Sequence, residues 1–286
     1  MNKVNIPPNM FPIEISNQIK IDTLVSAFTV NRGEGYIFPG ESHDFWEMVY
    51  VSEGNVGITA GSKILKCRAG SLIFHKPNEY HRIWNAGKKD IEFTVVSFSA
   101  KGEYINNLSD KVLLLDKRGN EQINRIRDEI IQNGPDSNYM PSKIREDSIN
   151  AAKFISLVEY FLYECANYET NIEPNTSGNA TLFTAAVKVM NKNIDKPLKA
   201  DQIADELHIS LSQLKRIFNK YALTGIHKYF LDMKISVAKE LLNQGESVYN
   251  TALSIGFYNQ NNFSATFKKH TGLSPSKWAK ENREDD

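Results

Sequence analysis

The 286-residue chain is expected to be an α+β protein, with an N-terminal antiparallel β-barrel and flanking helices followed by an all-helical part. Three observations lead there. Between about residues 21 and 98, short alternating or apolar runs recur between glycine-bearing turns. From about residue 120 onward the apolar spacing lengthens to that of a helix. Near the C-terminal end one helix-turn-helix pattern occurs twice, with a single helical stripe between the copies.

Taken in order, residues 1 to about 20 are polar, carry Pro7, Pro8 and Pro12, and read as an arm. The strand runs are LVSAFTV, GYIF, FWEMVYV, NVGITA, SLIFH and IEFTVVSF. Turns at Gly33, Gly40, Gly54, Gly61, Gly70 and Gly87 separate them. Such spacing, with β-branched and aromatic residues in the runs, predicts a small antiparallel barrel or sandwich. Strand parity puts Glu47 and Val49 on one side and Trp46 and Met48 on the other, so Glu47 is favoured as the inward residue.

Ile123, Ile126 and Ile130 then form a helical stripe, broken at Gly134 and Pro135. A longer helix from about Ser142 carries Ile149, Ala152, Phe154, Ile155, Leu157, Val158, Phe161 and Leu162, a wider face than packing on a barrel requires. ETNIEPNTSGN, residues 169–179, is a polar linker. The expected division is 1–170, a linker at 171–180, and 181–286.

Basic and acidic residues balance at 34 each, which excludes a generally basic, adhesive protein. The balance is uneven, with 15 basic and 11 acidic residues from Thr181 onward and 19 and 23 before it. That asymmetry suits nucleic-acid binding by the C-terminal half alone. Cys67 and Cys165 have no metal-ligand spacing and are expected to be reduced thiols. The N-terminus lacks the pattern of a signal peptide, and no apolar run approaches the roughly 20 residues of a membrane span, so the expected place is the cytoplasm.

The helical duplication carries the functional signal. In LKADQIADELHISLSQLKRIFNKY, a helix from about Asp201 buries Ile203, Ala204 and Leu207. Ser210 caps the next, which buries Leu214, Ile217, Phe218 and Tyr221. Its outward residues are Ser212, Gln213, Lys215, Arg216, Asn219 and Lys220. In SVYNTALSIGFYNQNNFSATFKKH, Ala252 and Gly256 precede a helix with Phe263, Phe267 and His270 inward. Its other face presents Asn261, Asn262, Ala265, Lys268 and Lys269. Leu231, Ile235, Ala238 and Leu242 stripe the bridging helix between the copies. Amides at a helix N-terminus followed by lysines suit a reader of the DNA major groove, with Asn pairing to adenine and lysines holding phosphates. The plain alternative is a helical hairpin with a solvated lysine face.

Residues from about Leu182 to Trp278, most densely AKELLNQGESVYNTALSIGFYNQNNFSATFKKHTGLSPSKW, resemble the DNA-binding domain of AraC/XylS-family transcription regulators. The resemblance implies that Ser212, Gln213 and Arg216, then Asn261, Asn262 and Ala265, face bases. It also implies an activator that works with RNA polymerase, and a homodimer paired through helices before the linker. Three positions depart from the pattern: Ala265 and Lys234 stand where arginine is common, and Leu223 where the turn prefers glycine.

ESHDFWEMVYVSEG and AGSLIFHKPNEYHRIW resemble the two cupin motifs of sensor domains in the same family. In metal-binding cupins these motifs supply three histidines and a glutamate. Here Glu41 replaces the first histidine, leaving Glu41, His43, Glu47 and His81 as a candidate divalent-metal set. The expectation is nonetheless a pocket without metal or other cofactor, since such sensor domains generally resemble cupins that lost the ion. Arg32, Tyr36, His43, Glu47, His81 and Trp84 are the candidate effector contacts. Charged and hydrogen-bonding groups beside aromatic faces suit a sugar or related metabolite.

The expected function is thus a non-enzymatic, ligand-responsive regulator binding double-stranded DNA. The alternative is a metal-dependent cupin enzyme with an accessory helical domain, although no other catalytic set is visible.

Overall fold

The computed structural model describes residues 18–109, 111–133, 141–169 and 178–282; the N-terminal arm, the break at Gly134 and most of the linker lie outside them. The strands are β1 (Lys20–Arg32), β2 (Trp46–Glu53), β3 (Asn55–Ala60), β4 (Lys63–Arg68), β5 (Ser71–His75), β6 (His81–Asn85), β7 (Ile91–Lys101) and β8 (Val112–Leu114). They form an antiparallel sheet ordered β1-β7-β2-β5-β8 and a smaller one ordered β4-β3-β6. The expected barrel is therefore two facing sheets that do not close. GYIF contributes only an isolated bridge from Ile37 to Trp84, while KILKCR, unrecognised in the sequence, is β4.

The period of two along β2 separates two cores. Trp46, Met48 and Tyr50 point away from the small sheet and join α1 (Lys117–Gln132) and α3 (Ser148–Asn167) through Ile123, Ile126, Phe154, Val158 and Phe161. Val49 and Val51 point between the sheets, meeting Val56, Ile58 and Leu65. The helix expected from Ser142 is split into α2 (Ser142–Glu146) and α3 because Asp147 adopts an extended backbone. Its carboxylate accepts from the Ile149 and Asn150 amides and starts a new helix. Ile149 is 64% exposed, so it is not part of the buried face formed by Phe154, Val158, Phe161, Leu162 and Cys165. Cys67 and Cys165 are both buried free thiols.

The C-terminal half comprises α4 (Gly178–Lys192), α5 (Ala200–Glu206), α6 (Leu211–Tyr221), α7 (Ile226–Asn243), α8 (Val248–Ser254), α9 (Gln260–Thr271) and α10 (Pro275–Asn282). The α5–α6 and α8–α9 pairs follow one plan, with buried Ala204 and Ala252 at matching positions. Ser210 Oγ accepts from the Gln213 amide to start α6, and Asn259 Oδ1 accepts from those of Asn261 and Asn262 to start α9. Gly256 sits at φ +73°, and a Cβ there would come within 2.6 Å of the Asp195 carbonyl, so the turn into α9 requires glycine. α7 serves two cores: Tyr229 and Phe230 pack with α4–α6, whereas Ile235, Ala238 and Leu242 pack with α8–α10. His270, expected inside, instead lies 3.3 Å from Asp232 on α7. Its i+7 position from Phe263 places it at the edge of the apolar stripe, within reach of a carboxylate.

The two halves touch. Ile64 of β4 belongs to the α4–α6 core, with Tyr80 and Trp84 packed against it.

Candidate functional site

A cavity of about 490 Å³ opens between the two sheets. Phe28, Val30, Phe38, Val49, Phe93 and Val95 form its apolar walls, and a cluster of ionisable groups closes one end. Adjacent strands assemble that end. Glu47 on β2 is register partner to Ser97 on β7 and to His75 on β5, so three side chains lie abreast on the inner face. His81 enters from β6 and is bridged to Glu41 by paired backbone hydrogen bonds, His81 N to Glu41 O at 2.9 Å and Glu41 N to His81 O at 3.0 Å.

His81 Nε2 lies 3.4 Å from Glu47 Oε1 and 3.8 Å from Glu41 Oε1, and His43 Nε2 lies 3.6 Å from Glu47 Oε2. Both rings are oriented from behind. His43 Nδ1 is 3.0 Å from the Phe45 carbonyl, and His81 Nδ1 is 3.0 Å from that of Glu79. A carbonyl only accepts, so each Nδ1 carries the hydrogen and each Nε2 is aimed into the cluster. Ser97 Oγ donates to Glu47 Oε2 at 3.2 Å and itself accepts from Ser26.

Burial would raise the Glu47 carboxyl, but the His43 and His81 rings that face it and the charge of His81 outweigh it and hold Glu47 well below the usual carboxylate range. Burial pulls His81 down, yet Glu41 and Glu47 prevail and lift it to about 10. His75, stacked on His81 and hydrogen-bonded to Glu79, is lowered by burial and by the His81 charge. The site thus presents an imidazolium between carboxylates, offering donors and acceptors side by side to a ligand.

The same donor set fits a divalent cation. One ligand atom from each of Glu41, His43, Glu47 and His81 lies within 4.8 Å of the others, and the buried Nε2 atoms of His43 and His81 have no hydrogen-bond partner. Backbone carbonyls orient both rings, as outer partners do for ligating histidines. A cation there would displace the proton on His81 Nε2.

Of the sequence-predicted pocket residues, Arg32, Tyr36, His43, Glu47 and His81 line this cavity, with the Arg32 guanidinium 5.4 Å from the Tyr36 ring centroid. Trp84 does not. Its ring lies over Gly57, where a Cβ would fall 2.0 Å from the indole, and packs toward the helical half. His75, Ser26 and Ser97 were missed. The alternation in SLIFH, placing His75 in step with Ile73, was the available signal.

On α6, Ser212, Lys215, Arg216, Asn219 and Lys220 are exposed and Gln213 is half-buried. On α9, Asn261, Asn262, Ala265, Lys268 and Lys269 are exposed. The opposite faces of both helices are buried through Leu214, Ile217, Phe218, Phe263 and Phe267.

Two family models match this chain in sequence order: an AraC-like ligand binding domain over residues 24–108, and a helix-turn-helix domain over residues 203–281. The chain belongs to the AraC-type regulators. The first match covers the cavity-bearing sheets of this AraC-type chain, and the second covers α6 and α9. Among relatives, the transcriptional regulator ArgR of Pseudomonas aeruginosa is 34% identical over 94 residues, which cover 32% of this chain and 29% of ArgR. GbdR of the same species is 26% identical over 42% of this chain and 34% of its own length. These matches thus span less than half of either relative. The transcriptional activator RhaR of Mannheimia succiniciproducens is 22% identical over 84% of this chain and 87% of its own. A solved AraC-type regulator structure from Chromobacterium violaceum is 32% identical, covering 38% of this chain and 98% of that one, with a TM-score of 0.36. No helix among the described residues is long and apolar enough to cross a membrane.

Proposed function

We propose that this protein is a sequence-specific DNA-binding transcription regulator whose response is set by a small molecule held between its sheets. The observation that carries the reading is the pair of capped helices, α6 and α9, each with a buried apolar face and an exposed polar one, joined through one shared helix. Ser212, Gln213 and Arg216 on the first, and Asn261, Asn262 and Ala265 on the second, are the base-facing residues. Lys215, Lys220, Lys268 and Lys269 neutralise phosphates. The regulator acts in the cytoplasm as a homodimer and activates transcription through RNA polymerase.

Arg32, Tyr36, His43, Glu47 and His81 hold the effector, a sugar or related metabolite whose hydroxyls meet the imidazolium–carboxylate end. The effector shifts DNA occupancy only by binding two states unequally, and DNA must alter effector affinity by the same factor. Selection of binding sites from randomised duplex DNA by the full chain tests the reading; recovery of no sequence preference rejects it. A thermal-shift screen against carbohydrates and other metabolites, repeated on Glu47→Gln, tests the pocket: a ligand shift must disappear in that variant.

A second reading, a metal-dependent enzyme, is favoured by the convergence of Glu41, His43, Glu47 and His81 with two buried Nε2 atoms that face carboxylates without hydrogen-bonding to them. Elemental analysis of the purified protein separates the two, since stoichiometric metal supports the enzyme.

A further inference from the structure

The C-terminal end of α6 is finished by side chains from the sheets. A helix leaves its last carbonyls without partners inside the helix, and here three successive ones are met from outside. Arg82 Nη1 donates to the Lys220 carbonyl at 2.5 Å, Thr59 Oγ1 to that of Tyr221 at 2.7 Å, and the Tyr80 hydroxyl to that of Ala222 at 2.6 Å. Thr59 and Arg82 are 0% and 3% exposed, so water cannot readily replace either donor. The guanidinium is braced from behind, with its Nε donating to the Phe38 carbonyl and the Trp84 ring 5.0 Å away. Its charge faces the negative end of the helix dipole.

Thr59 on β3 and Arg82 on β6 alternate with residues that line the cavity, Arg82 itself bordering it, and Tyr80 immediately precedes β6. In the β3–β6 ladder, Thr59 pairs with Arg82, flanked by Ile58 with Ile83 and Ala60 with His81. Ile58, His81 and Ile83 border the cavity, and the chain neighbours of His81 are Tyr80 and Arg82. Two further bonds hold the adjoining turn: Thr184 Oγ1 donates to Ser62 O at 2.6 Å, and the Tyr229 hydroxyl to Gly61 O at 3.2 Å.

We infer that Thr59, Tyr80 and Arg82 are positioning residues for base reading by the first recognition helix. They fix the attitude at which α6 presents Ser212, Gln213 and Arg216, and they make that attitude depend on the wall of the effector cavity. The inference rests on the DNA-reading function proposed above and deepens it. None of the three need touch DNA.

The test is binding-site selection with full-length wild type, Thr59→Val, Tyr80→Phe, Arg82→Met and Arg82→Lys. Arg216→Ala and Asn262→Ala mark the base positions read by α6 and α9. Loss of one of these donors lets α6 take other attitudes and should relax preference about tenfold at the positions marked by Arg216, within what one well-placed base contact discriminates. Positions marked by Asn262 should keep their preference, and Arg82→Lys should restore part of what Arg82→Met loses. Equal relaxation at both sets, or none at the Arg216 set, overturns the inference. A wild type that selects no sequence overturns the regulator reading itself. Thr59→Val and Tyr80→Phe barely change shape, and hydrogen exchange on the same samples guards against misfolding. Residues 211–222 should exchange several-fold faster while residues 260–271 stay unchanged, and unaltered exchange at 211–222 also overturns it.

Discussion

The ammonium of Lys234 lies 2.6 Å from the carbonyl oxygen of Ile255, the residue that closes α8. The same nitrogen lies 2.6 Å from the Ile194 carbonyl and 3.1 Å from that of Lys196, in the segment leaving α4. One buried side chain on α7 therefore ties the α4–α5 connection to the turn between α8 and α9. The lysine at a position where the family commonly has arginine does this with three separate donors from one point.

Lys234→Met should leave those three carbonyls short of a donor and cost ~2–4 kcal/mol, given about 1–3 kcal/mol per unsatisfied buried group and partial rescue by water. Urea unfolding of the full chain followed at Trp278, which packs in the second core, measures it. A loss below about 0.5 kcal/mol, the usual size of a surface substitution, would show that the contacts are not made in solution.

Arg216→Ala should weaken specific DNA binding by ~1–3 kcal/mol and relax preference at one base position. Titration of a selected duplex and of its single-base variants reads both effects, and an unchanged preference removes α6 from the major groove.

Lys269→Ala should weaken binding to all duplexes alike and reduce the slope of log affinity against log salt by about 1, the signature of one phosphate contact. A slope equal to wild type refutes that role.

Gly57→Ala drives a methyl into the Trp84 indole, since the Cβ would fall 2.0 Å from ring carbon. The ring must swing out of its seat between the halves, at a cost of ~1–3 kcal/mol. Tryptophan fluorescence should shift to the red. An unshifted spectrum with full stability would mean that the ring has another seat.

The charged end of the cavity predicts a pH dependence. His81 is raised from 6.5 to about 10, so its contribution is full below pH 6.5 and is lost as pH climbs through 10. Glu47 is depressed from 4.5, so its contribution is present above that pH and lost in acid. His75, lowered from 6.5, opposes on the acid side, because protonating it penalises the folded state. Measured in chelator, the stability difference between wild type and Glu47→Gln should be larger at pH 6 than at pH 10. A difference constant across that range contradicts the pairing.

Legibility in the sequence followed periodicity. Parity along FWEMVYV separates Glu47 from Trp46, and the structure turns them to opposite cores. The Ser210 cap and the alanine pair stood out because local chemistry sets them. β4 escapes the period of two because KILKCR does not alternate: Ile64 and Leu65 stand side by side and are both buried, one against the helical half and the other between the sheets. Trp84 was placed in the pocket because an aromatic beside His81 reads as lining, whereas the gap left by Gly57 and the helical half beyond draw it outward. Nothing local marks Thr59, Tyr80 and Arg82 either. Polar residues alternating with apolar ones on a strand read as solvated, and only the docked helix end reveals partners for them.

The two-faced strands β3 and β6 have a consequence for exchanging parts between regulators. Refitting the cavity for a new compound through Ile58 or Ile83 leaves the outer donors in place. Transplanting a whole sensor from a relative replaces them and hands the reader an ill-matched bearing surface. Functional chimaeras of this protein should therefore carry the outer residues of that strand pair along with the helices they serve, so the workable seam runs through the sheet and not through the linker.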